Sequence, residues 1–237
     1  MRSLKIPLAA ALVWLEVGCG LPSPYFLAAP LPSTLAIGGT TAAFTNPGTQ
    51  AGNQTTLAGF EVYYKFSAST PSGNDINLGG GGTPGPAALQ ADGFFPLCLA
   101  TDTPPISRTA PMIAVSAADS ATSFTVTLTI SSATASTYSY TSPTQGPLPP
   151  VNIGRYIQFT TNPFTSRWFA QNTIITTFYT GAVDYTGSDT DQSLSSAGES
   201  SPYIILYALT YGFEAGTSIV QYSSATYLGY VQLSAFP

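Results

Sequence analysis

The chain has 237 residues and a formal net charge of −5, from 6 Lys and Arg against 11 Asp and Glu. Hydrophobic residues make up 44%, enough for a sizeable core, which excludes a wholly disordered chain; charged residues are only 7%, against roughly 25% in ordinary soluble proteins. Six scattered cations cannot neutralise a run of phosphates, which excludes nucleic-acid binding, and the lack of any histidine removes the commonest general base and metal ligand.

The first segment is an export signal in layout. Residues 1–5 are short and basic, and residues 6–15 (IPLAAALVWL) are apolar but too short to span a bilayer as a helix. Val17, Gly18, Cys19 and Gly20 follow. A cysteine directly after an apolar run and a small residue resembles the lipobox of bacterial lipoproteins, in which the signal is cut before the cysteine and the cysteine carries the lipid. The resemblance implies a signal peptide over 1–18, a lipid on Cys19 and a membrane as partner. Glu16 departs from the branched aliphatic residue usual at its place; such relaxed lipoboxes are similar to those of spirochaete lipoproteins. The alternative readings of Cys19 are an ordinary thiol in a signal cleaved further along, or one half of a disulfide with Cys98.

Residues 19–33 are expected to form a tether, because proline removes backbone donors and favours extended chain. Residues 34–237 are expected to form a single elaborated domain. Its strand signals come in sequence as weak candidates at 35–37 and 41–44, an aromatic run at 60–66 (FEVYYKF), and another weak candidate at 112–115. The cleanest is 124–130 (FTVTLTI), where Phe124, Val126, Leu128 and Ile130 alternate with threonines. Further candidates are 156–160, 173–179, the run 203–213 (YIILYALTYGF), apolar on both faces at its start, and 227–233. Residues 71–105 are dense in glycine and proline, including four consecutive glycines at 79–82, and are expected to be mostly loop anchored by 94–99. Residues 141–150 and 187–201 are expected as further loops. The pattern predicts an all-β, antiparallel two-sheet β-sandwich with long Gly/Pro-rich loop insertions.

Residues 41–47 (TAAFTNP) and 57–66 (LAGFEVYYKF) resemble the second and third strands of fibronectin type III-like and immunoglobulin-like domains. Phe44 stands at the usual tryptophan position, and Gly59, Phe60, Val62, Tyr63 and Tyr64 fill the third-strand pattern. Residues 203–211 and 223–233 resemble the last two strands, with Tyr203 or Tyr207 as the tyrosine that ties a loop to its strand. The long middle departs from a domain of about 100 residues. The FEVYYKF element and the closing YLGY are also similar to uncharacterised lipoproteins of Leptospira-type spirochaetes. That resemblance brings no catalytic residues.

Site chemistry is sparse. Arg155, Tyr156, Arg167 and Trp168 belong to the densest aromatic and cationic stretch and are the candidate surface for a protein or glycan ligand. The competing reading, which the pattern favours, is the rim of a core with the arginine stems laid along it. Asp184, Asp189 and Asp191 could supply some calcium ligands, but the spacing of a calcium loop is missing and a solvated acidic loop is the expectation. Glu61 and Lys65 share a strand face and read as a solvated pair. Cys98, among Phe94, Phe95, Leu97 and Leu99, reads as a buried core cysteine. No metal and no other cofactor is expected. The expected function is a non-catalytic, lipid-anchored binding or adhesion module at the outer membrane or cell surface. The alternatives are a self-associating subunit of a surface layer or filament and, below that, an envelope-polymer hydrolase, which would need two facing acids that no spacing singles out.

Overall fold

The structure is a computed structural model that describes residues 27–48, 55–67, 69–71, 85–103, 110–157, 173–178, 203–214 and 218–233. Two strands organise it. β4 (Thr55–Ser67) and β13 (Tyr203–Glu214) lie antiparallel along their full length, from Tyr203 opposite Ser67 to Glu214 opposite Thr55. β15 (Thr226–Gln232) flanks β13, and the two-residue β2 (Ala36–Ile37) pairs parallel with β15 at the edge. On the far side β4 meets β5 (Phe95–Pro96) and β7 (Ile113–Ala114), and β14 (Val220–Tyr222) continues the line of β15 along β13. We call this sheet B.

Sheet A runs in the order β1 (Leu31–Thr34), β3 (Thr41–Thr45), β8 (Thr125–Thr129), β9 (Ser136–Ser142), β11 (Val151–Ile157) and β12 (Thr173–Ile175). β6 (Cys98–Leu99) pairs with β11, and β10 (Gly146–Pro147) with β9. The inward faces of the two sheets form one core: Phe44, Val126, Leu128, Tyr138, Tyr140 and Ile153 from sheet A, against Phe60, Val62, Tyr64, Phe66, Ile204, Leu206, Leu228 and Val231 from sheet B. Burying each large apolar side chain there contributes about 1.5–3 kcal/mol of transfer free energy. Aromatic rings meet edge-on across the core, as in Phe44 against Phe60 at 5.0 Å and 70°. The protein is therefore an all-β, two-sheet sandwich.

The strongly patterned segments fold as expected, and the departures have local causes. The tether expected over 19–33 is taken into the sandwich from Leu27 onward. Leu27 is buried, Thr210 Oγ1 donates to the Ala28 carbonyl at 2.7 Å, and Thr226 Oγ1 donates to the Pro30 carbonyl at 2.6 Å. Residues 31–34 then form β1, whose place at the edge of sheet A leaves one side of Pro32 without a ladder to break. Residues 1–26 lie outside the described residues. In the Gly/Pro-rich stretch, helix α1 (Pro86–Ala91) forms where only loop was expected: a proline opens it and Leu89 is buried beneath it. β9 carries only Tyr138 and Tyr140 as apolar residues, too few to stand out in the sequence, yet both point inward. β11 begins earlier than the run expected at 156–160.

The pairing of β13 with β15 shifts between Leu206 and Tyr207, where Leu206 faces Gly229 and Tyr207 faces Tyr227. Leu228 is the extra residue of this bulge. Gly229 adopts φ +97°, and a Cβ on it would collide with the Ala36 carbonyl oxygen. Gly229→Ala is thus expected to lower stability by about 2 kcal/mol or more. Gly39→Ala, where a Cβ meets open space, should be silent. Chemical denaturation midpoints of the two variants check this.

Candidate binding surface

The bulge decides what the outer face of sheet B looks like. In an unbroken strand, Tyr227 and Tyr230, three residues apart, would point to opposite faces. The extra residue restores both to the outer face, with Leu228 and Val231 turned into the core. Tyr203, Tyr207 and Tyr211 share that face by simple alternation along β13. The outcome is a tyrosine-lined surface. Tyr203 packs edge-on against Tyr230 at 5.6 Å, and Tyr211 edge-on against both Phe213 at 5.3 Å and Tyr222 at 5.4 Å, while Tyr207 lies tilted against Tyr227 at 5.5 Å. Ile37, paired with Tyr230, and Val220, paired with Phe213, extend the surface along the same side of β13.

Half of this face is covered. α1 and the turn after it set Leu89 and Phe94 over Tyr63, Ile205, Tyr207 and Leu209, forming a second, smaller core. Phe94 meets Tyr207 at 5.2 Å. Lys65 closes the rim, its ammonium donating to the Asp92 carbonyl at 2.8 Å and lying over the Phe94 ring at 5.5 Å. The solvated Glu61–Lys65 pair expected from the sequence gives way to this arrangement. Glu61 is buried and accepts the Met112 N–H at 3.2 Å, because the segment around β7 covers it. Burial first, and the charge of Glu61 second, push the Tyr211 hydroxyl above the usual tyrosine pKa. Among the described residues the other half of the face has no such cover: Tyr203, Tyr227 and Tyr230 are half-buried, and Ile37, Val220 and Tyr222 are exposed.

The outer face of sheet A differs in chemistry. Thr127 faces Ser139 and Thr129 faces Thr137, and Thr45 and Thr125 share a hydroxyl contact at 3.1 Å. An open groove of about 660 Å³ lies over Thr125, Thr127, Ser139 and Thr141, walled by Pro147, Leu148 and Pro150.

Of the site residues expected from sequence, only Arg155 and Tyr156 fall among the described residues. Arg155 is wholly buried, so it cannot belong to an exposed surface. It shares the parity of the core residue Ile153 on β11, points between the sheets, and sets its guanidinium over the Phe66 ring at 5.3 Å. Tyr156, next along β11, is half-buried. Arg167, Trp168, Asp184, Asp189, Asp191 and Cys19 lie outside the described residues, among which no three metal-ligating side chains cluster. Cys98 is buried, its thiol donating to the Gly154 carbonyl at 3.2 Å. The tyrosine surface went unassigned at the sequence level although part of its signal was visible, in the equal parity of residues 203, 207 and 211. No protein-family model, curated protein or solved structure matches this chain.

One buried acid has a structural task. Asp119, in the one-turn helix α2 (Ala117–Ser120), accepts from Ser142 Oγ and Thr144 Oγ1, each at 2.7 Å, and from Thr144 N–H at 3.2 Å, pinning the turn after β9. Burial opposes its charged form, but the hydrogen bonds from Ser142, Thr144 and Ser116 outweigh it and hold the pKa below the usual carboxylate value. A depressed folded-state pKa stabilises the fold above the unfolded-state value and ceases to do so as pH falls through the folded one. Asp119→Asn is therefore expected to lower the Tm at neutral pH, with the gap to the parent closing in acid below the ordinary carboxylate range. Thermal melts of both proteins across pH check the sign.

Proposed function

We propose that this protein is a lipid-anchored, extracytoplasmic binding module of the outer membrane or cell surface, built on a fibronectin type III- or immunoglobulin-like sandwich. The observation that carries the reading is the open half of the outer face of sheet B, a stretch of tyrosine and aliphatic side chains on a rigid double-sided sheet. Monomeric soluble proteins seldom leave such surface uncovered without a partner for it. The order β15-β13-β4 in one sheet and β1-β3-β8 in the other supports the sandwich family, as does the parallel pairing of β2 with the last strand. The lipobox-like run ending at Cys19 supports the anchor. The reading assigns no chemical step and no cofactor.

A self-associating filament subunit is less well supported. Strand addition needs a long unpaired edge, and the described residues end sheet B in two-residue strands, β2 on one side and β5 and β7 on the other. An envelope-polymer hydrolase has less behind it still: the two acids buried in the described part, Glu61 and Asp119, are engaged by backbone and hydroxyl donors.

Metabolic labelling with palmitate in a host that lipidates exported proteins tests the anchor. The parent chain is expected to take up label and to partition with membranes, and Cys19→Ala is expected to do neither. Equal labelling of the two, or none in either, would reject the reading.

A further inference from the structure

We propose that the groove over the outer face of sheet A binds a neutral glycan, with Thr127, Ser139 and Thr141 as the hydroxyls that engage it. This goes beyond the reading given under Proposed function. It concerns the opposite sheet from the tyrosine surface and depends on neither that surface nor the anchor at Cys19.

The first argument is the floor. Thr125 and Thr127 on β8 and Ser139 and Thr141 on β9 share the outer face by alternation, with Thr127 directly opposite Ser139. Thr125 shares its hydroxyl with Thr45. Among the described residues, the hydroxyls of Thr127, Ser139 and Thr141 make no hydrogen bond within the protein, so each keeps its donor and its lone pairs for a ligand. The second argument is that the groove is already built. Its volume of about 660 Å³ lies within the roughly 300–1,000 Å³ of ligand sites. Pro147, Leu148 and Pro150 wall it, and the turn that brings Pro143 to its rim is fixed from beneath. Buried Asp119 accepts from Ser142 Oγ and Thr144 Oγ1 at 2.7 Å, and the Gln145 N–H donates to Ser142 Oγ at 2.9 Å. A wall held in this way loses little conformational freedom when a ligand arrives.

The third argument is chemistry. None of the described residues lining the groove is charged, so an anionic ligand would meet no cation there. An apolar ligand would strip water from three hydroxyls and return no hydrogen bond. A polypeptide is held through an unpaired strand edge, an apolar or aromatic groove, or an arginine cluster. Here β8 is paired with β3 and β9, and β9 with β8, β10 and β11, so the backbone of the floor is engaged and hydroxyls are what it presents. The complementary ligand is neutral and itself rich in hydroxyls. A sugar ring carries hydroxyls at its edge and C–H groups on its faces. Threonine likewise joins a hydroxyl to a methyl, and Pro147, Leu148 and Pro150 add an apolar wall for the C–H faces.

The test titrates the full chain with neutral hexasaccharides (maltohexaose, cellohexaose, mannohexaose and N-acetylchitohexaose), read by calorimetry and by backbone amide chemical shifts. At least one is expected to bind with a Kd below about 1 mM and to shift the amides of Thr127, Ser139 and Thr141. The double variant Thr127→Val/Ser139→Ala removes two hydroxyls and keeps the strands; it is expected to weaken that binding about tenfold or more with an undiminished denaturation midpoint. Thr141→Val, at an exposed position, gives a second reading and is expected to weaken binding about threefold or more. Tyr222→Ala, on sheet B, is expected to leave binding unchanged. Binding of none of the four sugars at several millimolar overturns the proposal, as does binding that survives loss of the hydroxyls or that Tyr222→Ala abolishes. Two further probes check the ligand class. Stronger binding of a heparin hexasaccharide overturns the neutral assignment, and hydroxyl-dependent binding of a mixed decapeptide pool in place of the sugars overturns the glycan and marks a polypeptide as the occupant. None of these outcomes bears on the anchor, which palmitate labelling reads separately.

Discussion

The ladder between β4 and β13 is the contact on which the rest of the sandwich is built. It joins segments from opposite ends of the folded body and is covered on both faces. Phe60, Val62, Tyr64 and Phe66 with Ile204, Leu206 and Ala208 meet sheet A, while Tyr63 with Ile205, Tyr207 and Leu209 meet α1. A strand pair buried on both sides loses the polar/apolar alternation of a surface strand. That is why the runs FEVYYKF and YIILYALTYGF look so apolar, and why the strands of sheet B other than β15 can be as short as two or three residues.

What such a sheet shows to solvent depends on small departures from regularity. Without the extra residue at Leu228, Tyr227 and Tyr230 would occupy opposite faces, and one of them would displace a core residue. Gly229 permits the bulge because it adopts a positive φ and lets the backbone of β2 come close. The same bulge therefore closes the edge of sheet B, lines the core with Leu228 and collects the tyrosines outside. α1 then divides the outer face into a covered half and an open half.

Charges are few, and three of the described ones are buried in the fold. Arg155 lies over Phe66 between the sheets, Asp119 gathers hydroxyls around the turn after β9, and Glu61 accepts a backbone N–H at β7. Each is a charged group in surroundings that penalise unsolvated charge, and each is met by ring or donor contacts that compensate. Among the described residues, the outer face of sheet A carries hydroxyls and that of sheet B carries phenols. That division agrees with a composition of 7% charged residues and abundant Ser and Thr.

Alternation was enough to reveal the all-β class and to place the central strands, because a period of two in a half-buried strand, or an unbroken apolar run in a fully buried one, is a property of the chain alone. The lipobox-like run ending at Cys19 is a resemblance of the sequence alone and lies outside the described residues. Arg155, by contrast, was left between a ligand surface and the rim of a core, the reading favoured, and its complete burial went unforeseen, since nothing local says that its parity on β11 matches Ile153 and turns it inward. The tyrosine surface was half visible in residues 203, 207 and 211, but Tyr227 and Tyr230 join it only through a bulge that exists because β2 and β13 hold β15 from either side. Burial of Leu27 depends equally on a groove made by residues nearly two hundred positions away. Local pattern sets which face a side chain prefers; which strands become neighbours, and which half of a face a short helix covers, is settled only when distant segments compete to bury the same apolar area.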